Sequence, residues 1–310
     1  MSVVYKIFEY QNATDLLNII NPDFILSSEI GSSYLLRNRV FKIMPLSIVK
    51  IYAEKSRWYN EVSTLKYLST INNICSPKLI NESCRNGLYY IQISCLPGQL
   101  LGEIINNLTD SQKTELLYSI GAFHAEFHKK CETVYYGDWS TMGKDTSYEQ
   151  FIKRIHVKYY NKIISDSFHK NDIITYAIKE MEYYYNKENI SNKNYVLCHN
   201  DFGYRNLLVV HKKEKFVISG IIDFENSYFA QREFDLTRML LYFGNKLLSN
   251  PYLDGYRDYS NINLNNNSII FYMLLKCLRI CSWAYKTDMQ YYCTAMNMIN
   301  IIKNRAFSNN

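Results

Sequence analysis

Residues 195–206 read Tyr-Val-Leu-Cys-His-Asn-Asp-Phe-Gly-Tyr-Arg-Asn, and residues 207–225 continue Leu-Leu-Val-Val-His-Lys-Lys-Glu-Lys-Phe-Val-Ile-Ser-Gly-Ile-Ile-Asp-Phe-Glu. Short apolar runs bounded by polar clusters predict three strands here: Tyr195 to Cys198, Leu207 to Val210, and Phe216 to Phe224. The polar stretch Lys212 to Lys215 predicts the turn between the last two. Two strand ends thereby present Asp201, Asn206 and Asp223.

Outward from this segment the pattern changes on both sides. Upstream, helical spacing dominates residues 109–185: Thr109-Asp110-Ser111 offers caps, and Leu116, Leu117, Ile120, Phe123 and Phe127 form one apolar stripe. Tyr148 to Ile164 and Asn171 to Tyr185 predict further helices, and residues 269–303 one or two more after an Asn-rich loop at 261–267. The first hundred residues read instead as strands, Phe24 to Ser28, Tyr34 to Met44, Ser47 to Tyr52 and Leu88 to Cys95, with one helix over Ser56 to Ser69 carrying Trp58, Val62, Leu65 and Leu68. Leu96-Pro97-Gly98 breaks the pattern. The expectation is an α+β chain with a mostly antiparallel β-rich part over 1–96 and a larger, mainly helical part over 97–310 that carries the hairpin.

Composition excludes several classes. The chain has 310 residues, 47 % hydrophobic and 21 % charged, which is globular and far from disordered. Thirty-five Lys and Arg against 29 Asp and Glu give a net charge of +6 without basic blocks, so neither a nucleic acid nor a membrane surface is the expected partner. The start of the sequence lacks a basic segment followed by an apolar one, and Lys276 cuts the apolar run Ile269 to Leu275. The eight cysteines contain no Cys-x-x-Cys pair, and Cys277 and Cys281 sit four apart on an apolar segment, as buried thiols do. A cytoplasmic monomer or homodimer is the expectation.

Asp201, Asn206 and Asp223 fit one chemistry. Phosphoryl transfer from a nucleotide needs a carboxylate to orient the attacking hydroxyl and take its proton, and oxygen ligands that hold Mg2+ against the phosphates. Asp201 suits the first role; the Asn206 amide and the Asp223 carboxylate suit the second. An Asp and an Asn on one loop also suit plain turn chemistry. A second carboxylate arriving on a strand end weighs against that alternative.

The spacing His-x-Asp-x-x-x-x-Asn, followed about twenty residues later by Ile-Asp-Phe-Glu, resembles the aminoglycoside phosphotransferase and choline kinase superfamily, relatives of the protein kinases. Leu96-Pro97-Gly98 resembles that family's hinge, Ile120 to His128 its helix ending in Leu-His, and Glu233-Phe-Asp235-Leu-Thr its Asp-Leu-Ala element. The resemblance implies a two-lobed protein-kinase-like fold, with ATP or GTP as co-substrate, Mg2+, and a small hydroxylated acceptor. An antibiotic such as an aminoglycoside is the first expectation, and choline, another amino alcohol or a sugar is the alternative; a non-catalytic nucleotide-binding protein is the rival of another class. It further implies a structural His199 and an Asp235 that braces the catalytic loop, with Glu225 in support. Arg205 either assists charge neutralisation or faces solvent. The family commonly has Gly where Asn200 stands, and Asn tolerates left-handed backbone.

The kinase architecture also needs a strand lysine for the phosphates, held by a helix glutamate. Lys50 with Glu61 fits that order, and Lys42 is the rival eight residues earlier. Ile30-Gly31-Ser32-Ser33 fits a phosphate-covering turn as well as a plain hairpin turn, and no Gly-x-x-x-x-Gly-Lys-Ser/Thr is present. His124 and His128 lie four apart on the long helix, but the sequence shows no third zinc ligand, so core packing is the expectation. Packing is likewise expected of Tyr183 to Tyr185. Cys198-His199 is a poor nucleophile and base pair, because neighbours on a strand point to opposite faces.

Overall fold

Ser47–Tyr52 forms β3, rich in β-branched residues and paired on both edges. It is the middle strand of a five-stranded sheet in the order β1-β2-β3-β5-β4, where β1 is Ile25–Ile30, β2 Asn38–Met44, β4 Leu79–Arg85 and β5 Leu88–Ser94. Every pairing in it is antiparallel. The computed structural model describes residues 7, 10, 12–30, 38–140, 145–165, 171–187 and 194–308. Alternation along β3 gives its two faces different work. Val49 and Ile51 join Phe41 and Ile43 in an apolar layer covered by Leu16, Leu17 and Ile20 of α1 (Ala13–Ile20). Lys50 and Tyr52 share the opposite face and meet Glu61 of α2 (Lys55–Ser69).

The chain divides into two units, Met1–Asn106 with Arg205–Ser227, and Asn107–Tyr204 with Tyr228–Asn310. The hairpin of β9 (Leu207–Lys212) and β10 (Lys215–Ile221) therefore groups with the β-rich unit, whereas the pattern of the sequence set it among the helices. The physical reasons are local. The two-residue strand β6 (Gln99–Leu100), which leads into the short α3 (Leu101–Ile104), pairs with β9. The Ser219 hydroxyl donates to the Pro97 carbonyl at 2.6 Å, and the Ile221 N–H to the Cys75 carbonyl at 2.9 Å. The hairpin turns on Lys213 and Glu214, both at positive φ (46° and 66°), the backbone of a tight two-residue turn.

In the second unit α4 (Asp110–Lys130) opens on a capping box, with Thr109 and Gln112 bonded reciprocally. It crosses α8 (Pro251–Ser260) with backbones nearly touching: a Cβ on Gly121 would lie 1.9 Å from the Tyr252 carbonyl oxygen, and one on Gly255 2.0 Å from that of Tyr118. A small sheet of β7 (Glu132–Thr133), β8 (Tyr195–Cys198) and β11 (Tyr228–Ala230) carries the loop that begins at His199. Around it stand α5 (Tyr148–Ser165), α6 (Asp172–Lys187), α7 (Arg232–Leu240), α9 (Asn266–Ala284) and α10 (Met289–Ser308). The stretch 269–303, expected to hold one or two helices, holds two, α9 and α10. Cys277 and Cys281 are buried thiols on α9, as their spacing predicts, and Tyr184 stacks on Phe271 at 4.3 Å.

Candidate active site

Lys50 is the centre of the first unit's polar cluster. Only 6 % of it is exposed, and its ammonium donates to Glu61 at 2.7 Å and Asp223 at 2.6 Å, with Glu225 at 2.9 Å. Burial opposes that charge, but the three carboxylates outweigh it and hold the ammonium well above the usual lysine range. Lys42, opposite Ile48 in the sheet, makes no such contact with Glu61; the lysine beside the helix glutamate is Lys50.

Glu61 is 1 % exposed and does three jobs, accepting from Lys50, from the Tyr52 hydroxyl at 2.6 Å and from the Phe224 N–H at 3.2 Å. The last bond fixes the backbone next to Asp223, whose φ of 71° turns the chain sharply at the strand end. Residue 225 is pinned the same way: Arg57 and Asn38 donate to the Glu225 carboxylate, and Asn60 donates to the Glu225 and Ser227 carbonyls. Burial pushes both carboxyls up, but Lys50 and Arg57 bring Glu225 down to about 2, while Asp223 stays at about 6 despite Lys50. Asn206 is buried, and its carbonyl accepts the Ile222 N–H at 3.0 Å, so Asn206 and Asp223 lie beside each other across one backbone bond. Gly31, Ser32 and Ser33 lie outside the described residues.

The loop in the second unit is held by Asp235. Its Oδ2 accepts from the His199 N–H at 2.7 Å, and its Oδ1 from the Asn200 N–H at 2.6 Å. His124 and His128 add Nε2 contacts to Oδ2 at 3.0 and 3.2 Å. Burial alone would raise this carboxyl; the two histidine hydrogen bonds reverse that and hold it well below the usual range. Burial and its neighbour His124 push His128 down to about 3, so it is a neutral donor at Nε2. Its Nδ1 then accepts from Tyr256 at 2.8 Å, and that of His124 lies 2.6 Å from the Tyr252 hydroxyl. Asp235 is thus the third group beside the two histidines that the sequence alone did not show. Hydrogen bonds already occupy both nitrogens of each ring, and the trio serves as a brace for the loop.

On that brace Asn200 takes φ 64°, the left-handed backbone that Asn accommodates where Gly is common. His199 is fully buried and its Nδ1 accepts the Asp201 N–H at 3.2 Å, in keeping with a structural part. The Asp201 carboxylate accepts from Arg238 Nε at 2.9 Å. Lys276 donates to the Asn200 carbonyl at 2.7 Å. Sequence reasoning missed Arg238 and Lys276. Arg238 follows Asp235 by three residues on α7, and Lys276 ends the apolar run Ile269 to Leu275, a signal visible in the sequence. Arg205 is exposed. Cys198 is buried, with its thiol pushed well above the usual range by burial and Asp235, the opposite of what a nucleophile needs.

This arrangement can do two things chemically. The Lys50 cluster offers a fixed ammonium beside oxygen donors, which suits a polyphosphate with its cation, and the Asp201 loop offers a preorganised carboxylate. Among known structures the fold recurs. The chain is similar to a point mutant of aminoglycoside 2'-phosphotransferase-IIIa in complex with GDP, at 15 % identity over 96 % of this chain and 99 % of that one, with a TM-score of 0.68. It is similar to the GDP and kanamycin complex of APH(2")-IIIa, at 15 % identity over 94 % and 99 % with a TM-score of 0.67. A thermostable mutant of APH(4)-Ia in ternary complex with AMP-PNP and hygromycin B is also similar, at 13 % identity over 95 % and 99 % with a TM-score of 0.68. No curated protein sequence matches. The fold is therefore kinase-like, and the family model described as "Phosphotransferase enzyme family" matches residues 37–265. With the paired motifs, the buried lysine and glutamate and the braced loop all inside that span, the chain belongs to the phosphotransferase enzyme family.

Proposed function

We propose that this phosphotransferase moves the γ-phosphoryl group of ATP or GTP to a hydroxyl of a small molecule. The observation that carries the reading is Lys50, buried on the central strand and locked between Glu61 and Asp223. A lysine so placed is suited to the α- and β-phosphates of a nucleotide. GDP and AMP-PNP in the similar folds support a nucleotide co-substrate.

Mg2+, when bound with the nucleotide, supplies charge neutralisation at the phosphates. Asn206 and Asp223 are the oxygen donors that would hold it. They fit a hard cation: an amide and a carboxylate, adjacent through the Asn206 to Ile222 backbone bond, with the Asp223 side chain 34 % exposed. Asp201 orients the acceptor. As the acceptor oxygen bonds to the γ-phosphorus, the bond from that phosphorus to the bridging oxygen of the β-phosphate breaks. The nucleoside diphosphate leaves, and the hydroxyl proton passes to the Asp201 carboxylate. Positioning and electrostatics supply most of the rate.

The acceptor is a small hydroxylated compound. Inactivation of an antibiotic is the finer reading, supported by the kanamycin and hygromycin B held in similar folds. Among the described residues no helix is long and apolar enough to cross a membrane, and eight free thiols favour a reducing, cytoplasmic setting. The test is Mg2+-dependent release of nucleoside diphosphate from ATP and from GTP over a panel of antibiotics, amino alcohols and sugars. Acceptor-stimulated release that falls by several powers of ten in D201A and in D223A is expected. Either variant keeping most of its turnover would sink the reading.

A further inference from the structure

The peptide that joins Asn200 to Asp201 is held at both of its polar ends. Its N–H, that of Asp201, donates to His199 Nδ1 at 3.2 Å. Its carbonyl, that of Asn200, accepts from Lys276 Nζ at 2.7 Å, and the same nitrogen lies 3.4 Å from the Asn200 amide oxygen. On either side of this peptide the Asn200 N–H donates to Asp235 at 2.6 Å, and the Asp201 carboxylate accepts from Arg238 at 2.9 Å. Three of these partners come from the loop itself or from α7. Lys276 comes from α9, 76 residues away in the chain.

An apolar side chain would suit the fold better at this position. Lys276 follows the run Ile269 to Leu275, only 7 % of it is exposed, and its neighbours Leu275, Cys277 and Leu278 are buried. The charged and titratable groups that face it are Asp201 of the loop, Asp235 and Arg238 of α7, Arg279 of its own helix, and His156 of α5. Burial, with Arg279 and Lys276 nearby, keeps His156 neutral. Burial and Arg279, then Arg238, push the lysine down to about 7 against the pull of Asp201 and Asp235. An amine held in such a place costs stability that a methionine of similar length would not. Charged or neutral, however, it has N–H bonds to donate, and both oxygens of Asn200 receive them.

The acceptor hydroxyl has to be met by Asp201 in line with the phosphorus, and a misplacement of about 1 Å is enough to cost about 100-fold in rate. Arg238 fixes the carboxylate at its tip. The bond from Lys276 fixes the main chain from which that carboxylate springs, at a residue whose φ of 64° turns the chain sharply. We propose that Lys276 is a positioning residue for phosphoryl transfer: α9 reaches through it to the Asn200 peptide and sets the stance of the Asp201 carboxylate. This rests on the phosphotransferase reading and adds to it a residue from the far end of the chain.

The test compares the full-length wild type with K276M and with C277A, which opens a cavity at the next position of the same buried helix. No bond from Cys277 to the loop is seen among the described residues. All three proteins are assayed below their melting temperatures, by Mg2+-dependent diphosphate release and by hydrogen exchange of the amides at 199–203. Release is measured with whichever acceptor of the panel stimulates it, or with water as acceptor. In K276M kcat should fall by about 10- to 100-fold, with the KM for nucleotide and for acceptor within about twofold of wild type. Exchange in the loop should quicken about tenfold or more in that variant. C277A should lower the melting temperature and leave kcat and loop exchange near wild type. An unchanged kcat in K276M overturns the proposal. So does a rise in acceptor KM with kcat intact, which makes Lys276 a binding residue, and so do equal losses in K276M and C277A, which make it a structural one. Release that is lost in D201A but kept in K276M removes this proposal alone, whereas release that survives D201A unchanged removes the phosphotransferase reading and the proposal with it.

Discussion

Arg238 and Lys276 show how much of this site lies in residues that no motif points to. Arg238 fixes Asp201 by a charge-assisted hydrogen bond and is itself fixed between two tyrosine rings. Arg238→Gln should lower kcat by about 10- to 100-fold while leaving the nucleotide KM near wild type, because in the proposed mechanism the guanidinium acts on the carboxylate that orients the acceptor. Diphosphate release at saturating nucleotide measures it. Lys276 makes a pH prediction. Burial, with Arg279 nearby, brings its ammonium down to about 7. Unfolding restores the ordinary value of about 10.4, so between pH 7 and 10 the unfolded chain binds more protons and stability rises with pH, by up to about 1.4 kcal/mol per unit. Urea unfolding at pH 7 and pH 9 should show this rise in the wild type and a flatter response in Lys276→Met. At this scale the sequence shows Asp201, Asn206, Asp223 and the Lys50 to Glu61 pair through spacing. It does not show what Arg238 and Lys276 hold, because their partners come from 37 and 76 residues away.

The crossing of α4 and α8 is where an element, rather than a residue, sets the site. Gly121 and Gly255 let the backbones approach closely enough for Tyr252 and Tyr256 to reach His124 and His128, which in turn position Asp235 and the loop. A methyl group at Gly255 meets the backbone of Tyr118, which cannot rotate away. Gly255→Ala should therefore destabilise the protein by about 1–3 kcal/mol or more, and calorimetric or urea unfolding should show it. Elements with strong periodicity were legible, namely β3, α2, α4 and the pair α9 and α10. Those missed were short or weakly patterned. β4 is an edge strand with mostly exposed residues, α1 has eight residues, and α8 alternates tyrosine, glycine and charge. Their shape comes from neighbours, which a local window does not contain.

At the scale of the whole molecule, the chain leaves the first unit at residue 106, returns at 205 and leaves again at 227. Residues 205–227 bring the Asp223 and Glu225 carboxylates to Lys50 and complete a sheet with Gln99 and Leu100. A fragment of residues 1–106 would keep Lys50 and Glu61 but lack the other two carboxylates and that hairpin. It should fail to give the dispersed amide spectrum of a folded domain, and supplying 205–227 in a tandem fusion should restore it; a well-folded 1–106 would contradict this. The resemblance of motif order along the sequence was enough to assign the fold. The division of the chain was not legible, because a boundary drawn where Pro97 and Gly98 interrupt the pattern cannot register a partner segment over a hundred residues later.

The same interleaving has a consequence for how the protein is made. Synthesis runs from the N-terminus, and a domain that is contiguous in sequence can fold while the rest of the chain is still being added. Here Lys50 waits for Asp223, 173 positions further on, and the loop at Asp201 waits for Asp235 and then Lys276. Neither polar cluster is complete until most of the chain has left the ribosome, so the nascent β-rich segment spends that interval with a charged lysine short of two carboxylates and β6 without its partner strand, the state in which a chaperone has most to protect.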